Sequence, residues 1–218
     1  KTRIVFLANP NNPTGTYLTA GEVTRLHDGL PDDVLLVIDA AYAEYVERAD
    51  YTCGAELVET SDNVVMTRTF SKIYGLGGIR LGWAYCPESV VSVLHRVRGP
   101  FNVNGAAQAA GAAAVRDAAF TDRVRVHNRK WLPWTRNRLM DLGLSVTDSV
   151  GNFVLVCFDS IADKNAADAD AFLKKNGIIV RRMAGYGLPE CLRITIGTER
   201  EMTAVVDTLT TFLGRNET

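Results

Sequence analysis

A dominant charge is the first thing this sequence lacks. Its 24 Lys and Arg residues stand against 25 Asp and Glu, a net of −1. Neither sign gathers into a block or a tail, which argues against a nucleic-acid-binding or membrane-surface protein. Long hydrophobic runs are missing too: none reaches the roughly 20 residues that a bilayer crossing needs. Cysteine is sparse. Cys53, Cys86, Cys157 and Cys191 lie far apart with no CxxC pair, which speaks against a zinc site or a disulfide framework. They read as reduced, mostly buried thiols of a cytoplasmic protein. His27, His95 and His127 fall on predicted helices with no Cys or carboxylate at ligand spacing, and read as surface or packing residues.

What is present is the balance of a soluble domain with a real core, 47% hydrophobic and 22% charged. Ile4-Val5-Phe6-Leu7-Ala8, Val34-Leu35-Leu36-Val37-Ile38 and Val64-Val65-Met66-Thr67-Arg68 are short apolar runs of the kind buried on both faces of a parallel sheet. Leu81-Gly82-Trp83-Ala84-Tyr85 reads as a fourth strand. Thr19 with Glu22 reads as a capping box opening a helix that ends near Gly29. An alanine-rich helix is expected over 106–118, and a second over about 121–142 that Pro133 should kink or interrupt. Beyond Gly143 the predicted strands are 153–158, 178–180 and 192–196. A helix over 167–175 should stop at Gly177, and Thr198 with Glu201 should cap the last helix. The pattern predicts an α/β fold: a large domain with a mainly parallel sheet over 1–118, then a connecting helix and a smaller C-terminal α/β domain over 119–218. The chain opens on Lys1 and enters a strand almost at once, which reads as a start inside a longer protein.

In open parallel sheets ligands bind beyond the carboxyl ends of the strands. After the first strand comes Asn9-Pro10-Asn11-Asn12-Pro13-Thr14-Gly15. Asp39 ends the second, with Tyr42 three residues on. Thr69, Ser71 and Lys72 follow the third, and Arg80 stands past Gly77 and Gly78. Each alone reads equally well as a turn, a cap or a solvated loop. Together they set an amide, an acid, a phenol, hydroxyls, an amine and a guanidinium on one sheet edge.

Asn12-Pro13-Thr14-Gly15, Asp39-Ala40-Ala41-Tyr42 and Thr69-Phe70-Ser71-Lys72, with the glycine-rich stretch to Arg80, resemble the series that binds pyridoxal 5'-phosphate (PLP) in fold-type I aminotransferases. The longer strings at 9–16, 41–46, 67–83 and 185–198 are most similar to the histidinol-phosphate aminotransferase branch. The resemblance covers essentially the whole chain. It implies that Lys72 carries PLP as a Schiff base and moves the substrate α-proton as general base and acid. Asp39 would keep the pyridine nitrogen protonated, and Asn12 and Tyr42 would hydrogen-bond the phenolic oxygen. Thr69, Ser71 and Arg80 would hold the phosphate.

Arg193 sits in a strand otherwise filled by Leu192, Ile194 and Ile196, and by alternation it faces away from Leu192 and Ile194. The resemblance makes it the clamp on the substrate α-carboxylate, with a structural ion pair as the alternative. It places Asn152 near that carboxylate and Arg181 at the phosphate end of a phosphorylated substrate, where a solvated strand end is the competing reading. Pro100-Phe101-Asn102-Val103-Asn104 resembles the segment near the partner subunit of a homodimer. Ala40 is a departure, because the branch often has an acidic residue there.

The implied activity is amino transfer between L-glutamate and an imidazole-bearing phosphate ester, with small-molecule amino acid and 2-oxo acid substrates as partners. An aromatic or broad-range aminotransferase, or the PLP-sensing lobe of a transcription regulator, are the other readings. The resemblance also implies that upstream residues supply part of the phosphate grip, an aromatic ring stacked on the pyridine and part of the substrate pocket. A helix N-terminus is a natural phosphate site, so these 218 residues alone are expected to bind PLP poorly.

Overall fold

The computed structural model describes residues 1–159 and 163–215. They form two compact units, Lys1–Asn11 with Tyr17–Arg125, and Asn12–Thr16 with Val126–Thr218.

In the first unit, strands β1 (Ile4–Ala8), β2 (Leu35–Asp39), β3 (Val64–Thr69) and β4 (Gly82–Tyr85) form one sheet in that order. β1–β2 and β2–β3 pair in parallel, while β4 returns antiparallel to β3. One face is the core. Val5, Leu7, Leu36, Ile38, Val64 and Met66 pack with Val23 of α1 (Ala20–Asp28) and Val58 of α2 (Ala55–Thr60). Fully burying one such side chain contributes about 1.5–3 kcal/mol. The capping box holds: the Glu22 amide donates to the Thr19 hydroxyl while the Glu22 carboxylate accepts from the Thr19 amide. Helices α3 (Glu88–Val97) and α4 (Gly105–Arg116) follow β4. The small residues of α4 have a packing reason, for a Cβ at Gly111 would collide with Leu81 and meet Phe70.

Helix α5 (Ala118–Asp141) runs through Pro133 without interruption, where the sequence led to the expectation of a kink or an interruption. Trp131, Thr135 and Leu139 are buried on both sides of the proline, one stripe at four-residue spacing, and Pro133 itself is exposed. Tertiary packing of the stripe outweighs the lost backbone hydrogen bond.

The second unit holds an antiparallel sheet, order β5 (Ser145–Val146), β6 (Phe153–Cys157), β8 (Cys191–Thr195), β7 (Arg181–Arg182). Its core joins Val154, Val156, Leu192 and Ile194 to α5, α6 (Ala166–Lys175) and α7 (Glu199–Leu213). Gly177 has φ 78°, the left-handed stop expected after α6. The strand expected over 178–180 lies instead at Arg181–Arg182. Ile178 and Val180 pack against the core without joining the sheet.

Cys157 and Cys191 are disulfide-bonded, which corrects the reading of four reduced thiols. They face each other in the β6–β8 register. Backbone bonds from Phe158 to Glu190 and from Ile196 to Asn152 make 157–191 a non-hydrogen-bonded pair, the closer kind. Cys53 and Cys86 are free and half-buried, and burial raises the Cys86 thiol pKa. No helix among the described residues is long and apolar enough to cross a membrane.

Candidate active site

Asp39 is exposed at the carboxyl end of β2, and its register partner Thr67 donates a hydroxyl hydrogen bond to Asp39 Oδ1 at 3.4 Å. Tyr42 lies three residues on, only 5% exposed. Lys72 arrives from the loop after β3 and sets its Nζ 5.1 Å from the centroid of the Tyr42 ring. Two strand-end loops thus bring the amine and the phenol together. A cation over an aromatic face is attracted by the ring quadrupole, by about 0.5–1 kcal/mol where water still reaches.

The remaining polar groups line the same stretch of chain. The Thr69 hydroxyl accepts from the Ser71 amide at 3.1 Å, which folds the loop back on the strand end. Arg80 Nη1 donates to Ser71 Oγ at 3.4 Å and to the Gly77 carbonyl at 2.7 Å. The Gly77–Ile79 3-10 turn leads into Arg80, whose own φ is 58°. A left-handed conformation costs a non-glycine residue about 1–2 kcal/mol. Such strain persists where surrounding contacts over-determine it, commonly at ligand clamps. The structure therefore gathers Asp39, Tyr42, Thr69, Ser71, Lys72 and Arg80 at the carboxyl end of one sheet.

Asn12 belongs to the second unit. Its segment is tied there by the Thr147 hydroxyl donating to the Thr14 carbonyl at 2.7 Å and by the Val150 amide donating to the Gly15 carbonyl at 2.9 Å. Arg193 Nη1 donates to Asn12 Oδ1 at 2.5 Å. Arg193 points away from the core side chains Leu192 and Ile194, as alternation predicted, and its guanidinium stands 5.0 Å from the Phe153 ring centroid. Its Nε is buried without an acceptor among the described residues. A buried, charged donor left unsatisfied is costly, so this group suits an anion that the protein alone does not supply. Arg181 is the register partner of Arg193, which puts both on one face of the sheet. Both line a cavity of about 870 Å³, together with Arg200. Asn152 precedes β6 and accepts the Ile196 amide with its carbonyl.

Three features were not read from the sequence: the buried Glu44–Arg68 ion pair (2.9 Å) behind β3, the Cys157–Cys191 bond and Arg200 on the cavity wall. Each depends on register or on a turn, not on local spacing. Only the covalent pair carried a local signal, one cysteine inside a predicted strand and the other directly before the next.

The sequence pattern of the "aminotransferase class I and II" family matches residues 1–209. The chain belongs to that family. It is 61% identical, over 98% of its length, to a histidinol-phosphate aminotransferase of Paramagnetospirillum magneticum. It covers 59% of that relative, and so spans about three fifths of the length of the curated relatives it matches. Among solved structures it resembles the histidinol-phosphate aminotransferase of Sinorhizobium meliloti in complex with pyridoxal-5'-phosphate (TM-score 0.87, 30% identity, 97% of this chain and 57% of that one). It also resembles an L-threonine-O-3-phosphate decarboxylase of Porphyromonas gingivalis (TM-score 0.81, 26% identity, 97% of this chain and 65% of that one). The same fold therefore serves more than one reaction.

Proposed function

We propose that this chain is the greater part of a PLP-dependent aminotransferase that moves an amino group between histidinol phosphate and 2-oxoglutarate in histidine biosynthesis. The observation that carries the reading is Lys72 Nζ over the Tyr42 ring, with Asp39 and the Ser71–Arg80 pair at the same end of the sheet. That donor set fits PLP: an amine for the aldehyde, a carboxylate for the pyridine nitrogen, a phenol for the ring oxygen, and hydroxyls with a guanidinium for the phosphate. Bound PLP supplies an electron-accepting ring that the protein lacks. Lys72 would take a proton from the substrate α-carbon and return one, Asp39 would hold a proton at the ring nitrogen, and Tyr42 would donate to the ring oxygen. Thr69, Ser71 and Arg80 bind the phosphate. Arg193, with its unsatisfied Nε, and Arg181 beside it bind the anionic groups of the substrates, with Asn12 and Asn152 orienting them. The relative at 61% identity supports histidinol phosphate over the aromatic and broad-range readings. The biosynthetic role supports a cytoplasmic location, and Phe101, 90% exposed in the 100–104 segment, supports a homodimer.

The test uses the longest chain that the reading frame encodes. Wild type should aminate 2-oxoglutarate from histidinol phosphate far faster than from phenylalanine, and borohydride should trap PLP on the Lys72 peptide. Lys72→Ala should abolish the trapping and lower turnover by roughly 10²–10⁴-fold or more. Trapping on a different lysine, or turnover that survives the substitution, would refute the assignment.

A further inference from the structure

Glu44 and Arg68 have no role in the chemistry proposed above, yet they form a buried ion pair behind it. Their side chains are only 10% and 17% exposed. Arg68 Nη2 lies 2.9 Å from Glu44 Oε1, and Arg68 Nε donates to the same oxygen at 3.2 Å. The second carboxylate oxygen is buried with no partner among the described residues. Burial opposes the charge on Arg68, the Glu44 carboxylate beside it favours that charge, and on balance the arginine pKa is raised.

Position sets this pair apart from an ordinary core contact. Glu44 lies in the Ala43–Tyr45 3-10 turn that follows directly on Tyr42. Arg68 lies between Thr67 and Thr69 near the end of β3, the strand that delivers Lys72. By strand alternation Thr67, bonded to Asp39, and Thr69 face one side of the sheet while Arg68 faces the other. The pair thus grips both site segments from behind. Two further groups fix it. Arg125 Nε donates to the Glu44 backbone carbonyl at 3.2 Å, and the Arg68 guanidinium sits 5.8 Å from the ring centroid of Trp83, its register partner on β4.

A buried ion pair is a weak source of stability, since apolar side chains of similar volume often do as well. What it adds is direction, because two N–H groups converge on one oxygen. We infer that Glu44 and Arg68 are positioning residues: their buried ion pair locks the turn that carries Tyr42 to the strand that carries Lys72, and so sets the phenol against the amine. The inference rests on the PLP reading of this site.

The experiment compares wild type, Arg68→Met, Arg68→Lys and the apolar double variant Glu44→Leu/Arg68→Met in the longest encoded chain. Three quantities are read: melting temperature, PLP dissociation constant by equilibrium dialysis, and the fraction of PLP trapped on Lys72 by borohydride. Arg68→Met should lower the melting temperature and weaken PLP binding at least tenfold. The double variant should regain most of the melting temperature while keeping the weakened binding and poor trapping. If it regains wild-type PLP affinity together with its stability, the pair is only structural and the inference falls. Should neither of these fold, Arg68→Lys decides: it keeps the charge but not the two-pronged grip, and unchanged PLP affinity there overturns the inference. Wild type that traps no PLP on Lys72 would instead sink the cofactor reading itself.

Discussion

Arg193 shows how far a single residue could be read in advance. An arginine between Leu192 and Ile194 must leave the core side of its strand, and it does, ending with Nε buried and without an acceptor among the described residues. Arg193→Lys removes the planar fork and keeps the charge. If the fork binds substrate anions, KM for histidinol phosphate should rise about tenfold to hundredfold, the equivalent of about 1.5–3 kcal/mol for a hydrogen bond to a charged group. PLP affinity should stay at wild type, and a matching loss of PLP would show that Arg193 serves the fold instead. Gly15 makes a stability prediction. Its φ is 73°, and a Cβ there would collide with the Ser149 side chain and come within 3.0 Å of the Ser149 Cα. Gly15→Ala should cost about 1–2 kcal/mol from the backbone alone, with the clash added, and thermal unfolding would show it. The placement of Lys72, Asp39 and Arg80 at one sheet edge was legible because each stands at or beyond the end of a recognisable strand. The Glu44–Arg68 pair was not, because its members stand 24 positions apart with helix α2 between them.

At the scale of elements, the signals that survive are those made of local hydrogen bonds. Both capping boxes form where Thr19–Glu22 and Thr198–Glu201 stand in the sequence. Hydrogen bonds from the Thr198 backbone and hydroxyl hold the Glu201 carboxyl below its usual pKa of 4.5. A carboxylate with a lowered pKa contributes stability that is present above the ordinary value and is lost as pH falls through the lowered one. The stability gap between wild type and Glu201→Ala should therefore be full at neutral pH and shrink below about pH 4.5. A gap that is the same at pH 3 and pH 7 would contradict the ionic cap. Thr198→Ala should cost about 1 kcal/mol at neutral pH. An interruption at Pro133 and a strand over 178–180 do not form, for the opposite reason. Their fate is set by side chains far along the chain: the Trp131, Thr135 and Leu139 stripe carries α5 past its proline, and the core draws Ile178 and Val180 out of the sheet.

For the molecule as a whole, the alternation of strands and helices was enough to give an α/β fold with a mainly parallel first sheet. The passage of residues 12–16 into the second unit was not legible, because nothing local in Asn12-Pro13-Thr14-Gly15-Thr16 marks contacts with Thr147 and Val150. The order of the first sheet carries a consequence for behaviour in solution. Among the described residues β1 is an edge strand, hydrogen-bonded to a neighbour on β2 alone. Along it Ile4 and Phe6 share one face and are 48% and 74% exposed. An open strand edge with apolar side chains is a template on which another strand can pair, unless a charge or a covering segment blocks it. The 218-residue chain on its own should therefore self-associate at tens of micromolar, seen as a concentration-dependent shift in sedimentation velocity. Phe6→Lys places a charge on that exposed face without touching the core on the other, so it should raise the monomer fraction and leave the melting temperature nearly unchanged. A wild-type chain that stays monomeric across that range would show that the β1 edge is already protected by its own twist and length.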